Sequence, residues 1–215
     1  CGVCNGDDTS CQDFQPQDLT ELQTAVDLWV SDNINALLTY GEINTWDVSL
    51  ITDMSELFKN KTTFNDDISS WVVSNVTNMH WMFNGATAFN VNISTWNVSS
   101  VMDTGGMFNS ASSFNQDISS WDVVNMQEMG EMFKSSTSFN QNLSIWNVSN
   151  TTSFNRMFYG AASFNQDLSS WDVTGATFLG DMFHQAPLSD ENKCAIHTSF
   201  SFNQQWLYDW SEFCL

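Results

Sequence analysis

Basic side chains are scarce: five Lys and Arg stand against 25 Asp and Glu, for a formal net charge of −20. Such a chain repels nucleic-acid phosphates and anionic membrane surfaces, so neither is expected as a partner. The acidity is read as a solvated surface that holds, at most, loosely bound calcium. No apolar run approaches the roughly 20 residues of a membrane helix, and direct membrane insertion is not expected. Histidine occurs only at His80, His184 and His197, at positions that assemble neither a metal cluster nor a charge relay. G-x-S-x-G, P-loop and H-E-x-x-H patterns are missing. A non-enzyme without cofactor is therefore expected. Cysteine is absent from the long stretch between Cys11 and Cys194.

What fills that stretch is a repeat. Tryptophan returns every 25 residues at Trp46, Trp71, Trp96, Trp121, Trp146 and Trp171, with Val48 to Val173 and Phe58 to Phe183 in step. A period of 20 to 29 residues is the signature of stacked repeat units, each burying its apolar face only against its neighbours. Ordering one copy costs more than its own burial returns, so no copy folds alone. Trp-Asp pairs at Trp46, Trp121 and Trp171 do not make propeller blades, which need about 40–45 residues.

Within one copy, from Phe64 to Thr87, Trp71 and Val73 stand two apart, alternating with Ser70 and Val72 as in a short strand. Val76, Met79, Met82, Phe83 and Ala86 follow at helical spacing, a turn that Gly105 and Gly106 weaken in the third copy. The fold expected is an α/β repeat solenoid, leucine-rich-repeat-like, of six coils, each with one short parallel strand and a short helix or 3-10 turn. Asn65, Asn90, Asn115, Asn140 and Asn165 recur after each Phe. They are expected to point inward and bond open backbone groups as a ladder.

Four segments follow. Residues 1–13 are a Cys-rich spacer; 14–40 form a helical cap, with Asp18 and Glu21 as a capping pair and Leu19, Leu22, Val26 and Trp29 on one face. Residues 41–187 carry the six copies, and 188–215 form a C-terminal cap. A Cys194–Cys214 bridge would close a loop of about 20 residues and contribute about 3 kcal/mol. Cys1, Cys4 and Cys11 leave one thiol over, and C-x-x-C with no matching His is a weak zinc signal. Cys1 in place of Met points to a removed signal or a longer N-terminal region.

N-x-[ST] occurs at Asn60, Asn75, Asn92, Asn97, Asn142, Asn147 and Asn150, each a candidate N-glycan acceptor in a secreted eukaryotic chain. Asn92 and Asn142 share one repeat position, and Asn97 and Asn147 another, so glycans would sit two coils, about 9–10 Å, apart. Asp67, Asp117 and Asp167 precede Trp by four residues in alternate copies; nothing singles out one pair for glycoside hydrolysis.

The pattern FNQDISSWDV…MFxxA resembles the short repeat of bacterial and mycoplasma surface lipoproteins, the BspA-like leucine-rich-repeat group, and its variants in unicellular algae. The entry segment from Ala25 to Phe58 resembles the start of such algal arrays. The resemblance implies a cell-surface or extracellular location and a structural or adhesive role, with no catalytic residues to transfer. End-to-end contact is the expected mode of homo-oligomerisation, because a Cys-rich arm and an aromatic-rich cap make unlike ends. Surface protein or glycan partners, met through the sheet face, are the alternative.

Overall fold

The computed structural model describes residues 14–214; Cys1, Cys4, Cys11 and the spacer reading lie outside them. Helix α1, Leu19–Ser31, opens on Asp18, whose carboxylate accepts from Glu21 N at 2.9 Å, while Glu21 accepts from Gln17 N at 2.8 Å. These bonds satisfy amide groups that the first turn leaves open. Leu22, Ala25, Val26 and Trp29 are buried. The helix is fastened to the first coil through Gln23 Nε2 to the Leu57 carbonyl and through the Lys61–Asp27 ion pair. Helix α2, Asn33–Tyr40, ends at Gly41, where φ of 73° is a conformation that glycine takes without strain.

From Trp46 to Phe183 the chain forms six stacked coils. Two kinds of backbone bond alternate along each. In the second coil Met79, Trp81, Phe83 and Gly85 donate to carbonyls of the third coil, at Asp103, Gly105, Met107 and Asn109, over 2.8–2.9 Å. Met82, Asn84 and Ala86, each following one of the last three, donate three residues back within the coil. Trp81 and Gly85 have left-handed backbones, with φ of 56° and 70°, and the same two corners recur through the stack.

This pattern corrects the expected α/β, leucine-rich-repeat-like solenoid. The stretch from Val76 to Ala86 is a run of tight turns: bonds between residues three apart give the same apolar spacing as a helical face, while the left-handed corners forbid a helix. The stretch from Trp71 to Val73 is not a strand. Inter-coil pairing of the strand type is reduced to one parallel bridge per junction, Asp53–Asn78, Asn78–Asp103, Asp103–Glu128, Glu128–Ser153 and Ser153–Phe178. Neither a regular strand nor a sheet forms among the described residues, and their α-helices lie outside the six coils.

The core is aromatic. Phe58, Phe83, Phe108, Phe133, Phe158 and Phe183 stack at centroid separations of 5.2–5.7 Å. A second column, Phe64 to Phe164, runs beside it, and within a coil the two rings meet at 3.8 Å for Phe83 and Phe89. All are buried. The Asn ladder is present but not inward. Asn65 Oδ1 accepts from Asn90 N at 2.8 Å, and the same bond joins Asn90 to Asn115, Asn115 to Asn140 and Asn140 to Asn165. Asn90 is half-buried and the other four are exposed, so the amide caps the wall from outside.

Each end closes by imitation of a missing neighbour. Trp46, with no preceding coil, sends its indole N–H to the Gly41 carbonyl. At the other end the Tyr208 hydroxyl accepts from Phe183 N at 2.9 Å, where a seventh coil would have presented a carbonyl. Helix α3, Asp190–Phe200, starts on the last rung of the Asn ladder, because Asn165 Oδ1 accepts from Ser189 N at 2.8 Å. Asn203 Nδ2 covers the Val173 and Ala176 carbonyls at 2.7 and 2.9 Å. A Cys194–Cys214 disulfide ties α3 to the 3-10 turn Ser211–Phe213.

Candidate functional site

The sequons lie on the surface: Asn60, Asn75, Asn92, Asn97, Asn142, Asn147 and Asn150 are all exposed. Local bonding divides them. Asn75 and Asn150 donate Nδ2, the nitrogen that would carry sugar, to the carbonyls of Ser49 and Val124 in the preceding coil, at 2.8 and 2.9 Å. Asn92, Asn97, Asn142 and Asn147 are held by Oδ1 alone, which accepts from the N–H two residues on, at Ser94, Ser99, Ser144 and Ser149. In these four exposed residues no hydrogen bond engages Nδ2 among the described residues. Asn60 sits at a left-handed corner, φ 60°.

The carboxylates Asp67, Asp117 and Asp167 make the same turn, each accepting from the N–H of Ser69, Ser119 or Ser169 at 2.8–2.9 Å. The Ser69 hydroxyl and backbone N–H hold Asp67 below the ordinary carboxylate value, and the Ser119 N–H and hydroxyl do so for Asp117. Asp47 and Asp172 are lowered likewise by the hydroxyls and N–H groups of Ser49 and Thr174. Asp or Asn followed two residues later by Ser is therefore a turn requirement first. The regular spacing of the sequons follows from it.

A different wall carries the chemistry that the repeat pattern concealed. Along the bridge column and the left-handed corner beside it, residue type changes at every coil: Glu56, Trp81, Gly106, Glu131, Arg156 and Asp181 at the corner. His80 Nδ1 lies 3.2 Å from Asp103, and its ring stacks on Trp81 at 5.0 Å. Lys59 Nζ stands 4.0 Å from the Trp81 ring centroid. Arg156 bridges Glu131 and Asp181, and Glu131 also holds Lys134 at 3.0 Å. His184 stacks on Tyr159 at 4.9 Å. His197 is elsewhere, accepting from the Trp206 indole in the C-terminal cap. Sequence reasoning passed over this wall because it looked for residues that recur, whereas here the signal is failure to recur.

Residues 29–144 and 96–195 match, in two overlapping spans, the family model described as "Mycoplasma protein of unknown function, DUF285". The chain belongs to that family. Membership supports a mycoplasma-type surface repeat at the level of the family, and it encompasses all six coils. No curated protein and no solved structure matches. Among the described residues no helix is long and apolar enough to cross a membrane.

Proposed function

We propose that this chain is a glycosylated structural or adhesive protein of a cell surface or extracellular assembly, non-catalytic, whose subunits join end to end. The observation that carries the reading is the exposure of large apolar side chains on both caps. Ile34 and Leu38 of α2 are 73% and 60% exposed, and Phe202 and Leu207, after α3, are 84% and 78% exposed. The two ends differ in residues and shape, so a contact between them is heterologous and propagates as a filament unless the rotation closes a ring. Family membership supports the surface setting.

Glycans belong on the side walls in this reading. Asn92, Asn97, Asn142 and Asn147 would carry them, whereas Asn75 and Asn150 would have to give up an inter-coil bond. Intact-mass and peptide analysis of native protein, before and after enzymatic deglycosylation, tests this; no mass loss ends the glycan proposal. Light scattering of native protein across a concentration series tests assembly, with and without reductant. Growth in mass that Leu38→Asp and Phe202→Asp each abolish is the expected result. Particles that stay monomeric at high concentration in oxidising buffer overturn it.

A further inference from the structure

The wall that departs from the repeat contains a hollow of about 410 Å³. His80 and Trp81 close one end and Phe178, which is 61% exposed, closes the other. Between them the floor is low because glycine stands at Gly105, Gly106 and Gly130. Two of these glycines are required by the aromatic end. A Cβ on Gly106 would come within 2.2 Å of Trp81 Cδ1, and one on Gly105 within 2.8 Å of His80 Nδ1. Both rings therefore lean along the stack over the third coil. Trp81 does so from the left-handed corner, φ 56°, that every coil shares, so the corner belongs to the coil and the ring at it is particular to this one.

The polar groups of the hollow are already engaged with one another. Asp103 lies against the His80 ring, and Glu131 is paired with Lys134 and Arg156. Glu128 Oε1 is engaged by Gly130 N. Ser153 and Asn155 add a hydroxyl and an amide. Each of these groups keeps further lone pairs or N–H bonds for a ligand. Carboxylates, a hydroxyl and an amide between aromatic ends suit an occupant rich in hydroxyl groups with apolar ring faces and no negative charge. They suit an anionic ligand less well, because Asp103 and Glu128 have no Lys or Arg paired with them among the described residues.

The length also points one way. The backbones of Trp81 and Phe178 lie four coils apart, about 19 Å if coils stack at the spacing of paired strands. A straight chain whose rings repeat at about the same rise would set one ring against each coil. We infer that this hollow binds a neutral, extended, β-linked oligosaccharide of about four sugars laid along the stack. It is a lateral site, separate from the end contacts, so the side of a filament would present it once per subunit.

Isothermal titration of the full native chain with cellotetraose and chitotetraose tests the inference, with maltotetraose as a curled control and tetralysine as a cationic one. One of the β-1,4 tetramers is expected to bind with a dissociation constant in the micromolar to millimolar range. Trp81→Ala and Phe178→Ala should each weaken it at least about tenfold, while Ile145→Ala, on another wall, should leave it unchanged. Circular dichroism of each variant reports folding; Phe178 is exposed enough that its loss alone keeps the test valid if Trp81→Ala misfolds. Failure of both β-1,4 tetramers to bind overturns the inference, as does binding indifferent to both variants. Tetralysine binding without sugar binding replaces it with a cationic partner.

Discussion

Trp121 donates its indole N–H to the Ile93 carbonyl at 3.1 Å, 28 residues back along the chain. The same bond links Trp71 to Ile43, Trp96 to Ile68, Trp146 to Ile118 and Trp171 to Leu143. Each tryptophan thus fills its own coil and satisfies a backbone group of the one before it, at 4% exposure for Trp121. Trp121→Ala should cost about 3–5 kcal/mol. Hydrogen exchange should quicken in the coils containing Ile93 and Trp146 as well as in the mutated one; protection unchanged beyond the mutated coil contradicts neighbour-dependent stability.

The Asn ladder offers a smaller and more local test. Asn115 Oδ1 accepts from both Asn140 N and Gln141 Nε2 at 2.9 Å. Asn115→Ala should destabilise by about 0.5–1.5 kcal/mol in denaturant unfolding. Asn115→Asp, which keeps the acceptor, should cost less. Equal losses in the two variants mean that the bond contributes nothing measurable.

Acid should weaken the walls through the lowered aspartates. Asp67, Asp117 and Asp172 sit below the ordinary 3.8 in the folded chain. Their contribution is complete above pH 3.8 and is lost as pH falls through the folded values. Replacing all three by Asn preserves the turn acceptors and removes the titration. Thermal unfolding of the triple variant, made in a host without N-glycosylation, should fall less steeply below pH 3.8 than that of the parent.

At the alkaline side Tyr208 dominates the C-terminal closure. Burial pushes its phenol up from 10.0 to about 12, with the Phe183 N–H acting the other way. The folded chain holds that proton between pH 10 and about 12, where the unfolded chain has released it, so stability falls as pH rises across this window. Tyr208→Phe should lower stability at neutral pH by loss of the hydrogen bond to Phe183 N. The same variant should flatten the alkaline slope. A slope identical to the parent's assigns it to another group.

Loss of the disulfide should act on the same end. Cys194→Ser with Cys214→Ser opens a loop with a sequence separation of 20, and about 3 kcal/mol should be lost. Exchange in α3 and around Tyr208 should rise first. Uniform loosening of all six coils would show that the clamp is not local.

Much of this architecture was legible in the letters. The period fixed which residues face each other across coils, and the Asp18–Glu21 pair marked the start of α1. Secondary structure inside the coils was not legible, because apolar positions three apart are shared by a helix and by successive tight turns. What separates them is the left-handed corner, and at Glu56, Trp81, Glu131, Arg156 and Asp181 no glycine announces it. The Asn ladder was readable as a ladder but not as an exposed one, since a side chain can bond backbone from either side of a wall. The hollow stayed hidden because Gly105 and Gly106 look like defects until His80 and Trp81 are seen lying over them.

The bonds between coils have one more consequence. Met54, Met79 and Thr104 all donate to the carbonyl 24 residues ahead, and nothing in those bonds counts how many coils have gone before. A gene that loses or gains one whole unit by unequal exchange yields a chain whose new junction repeats the old ones. Rod length is therefore free to vary between lineages in steps of about 4.8 Å while both caps and the packing stay unchanged.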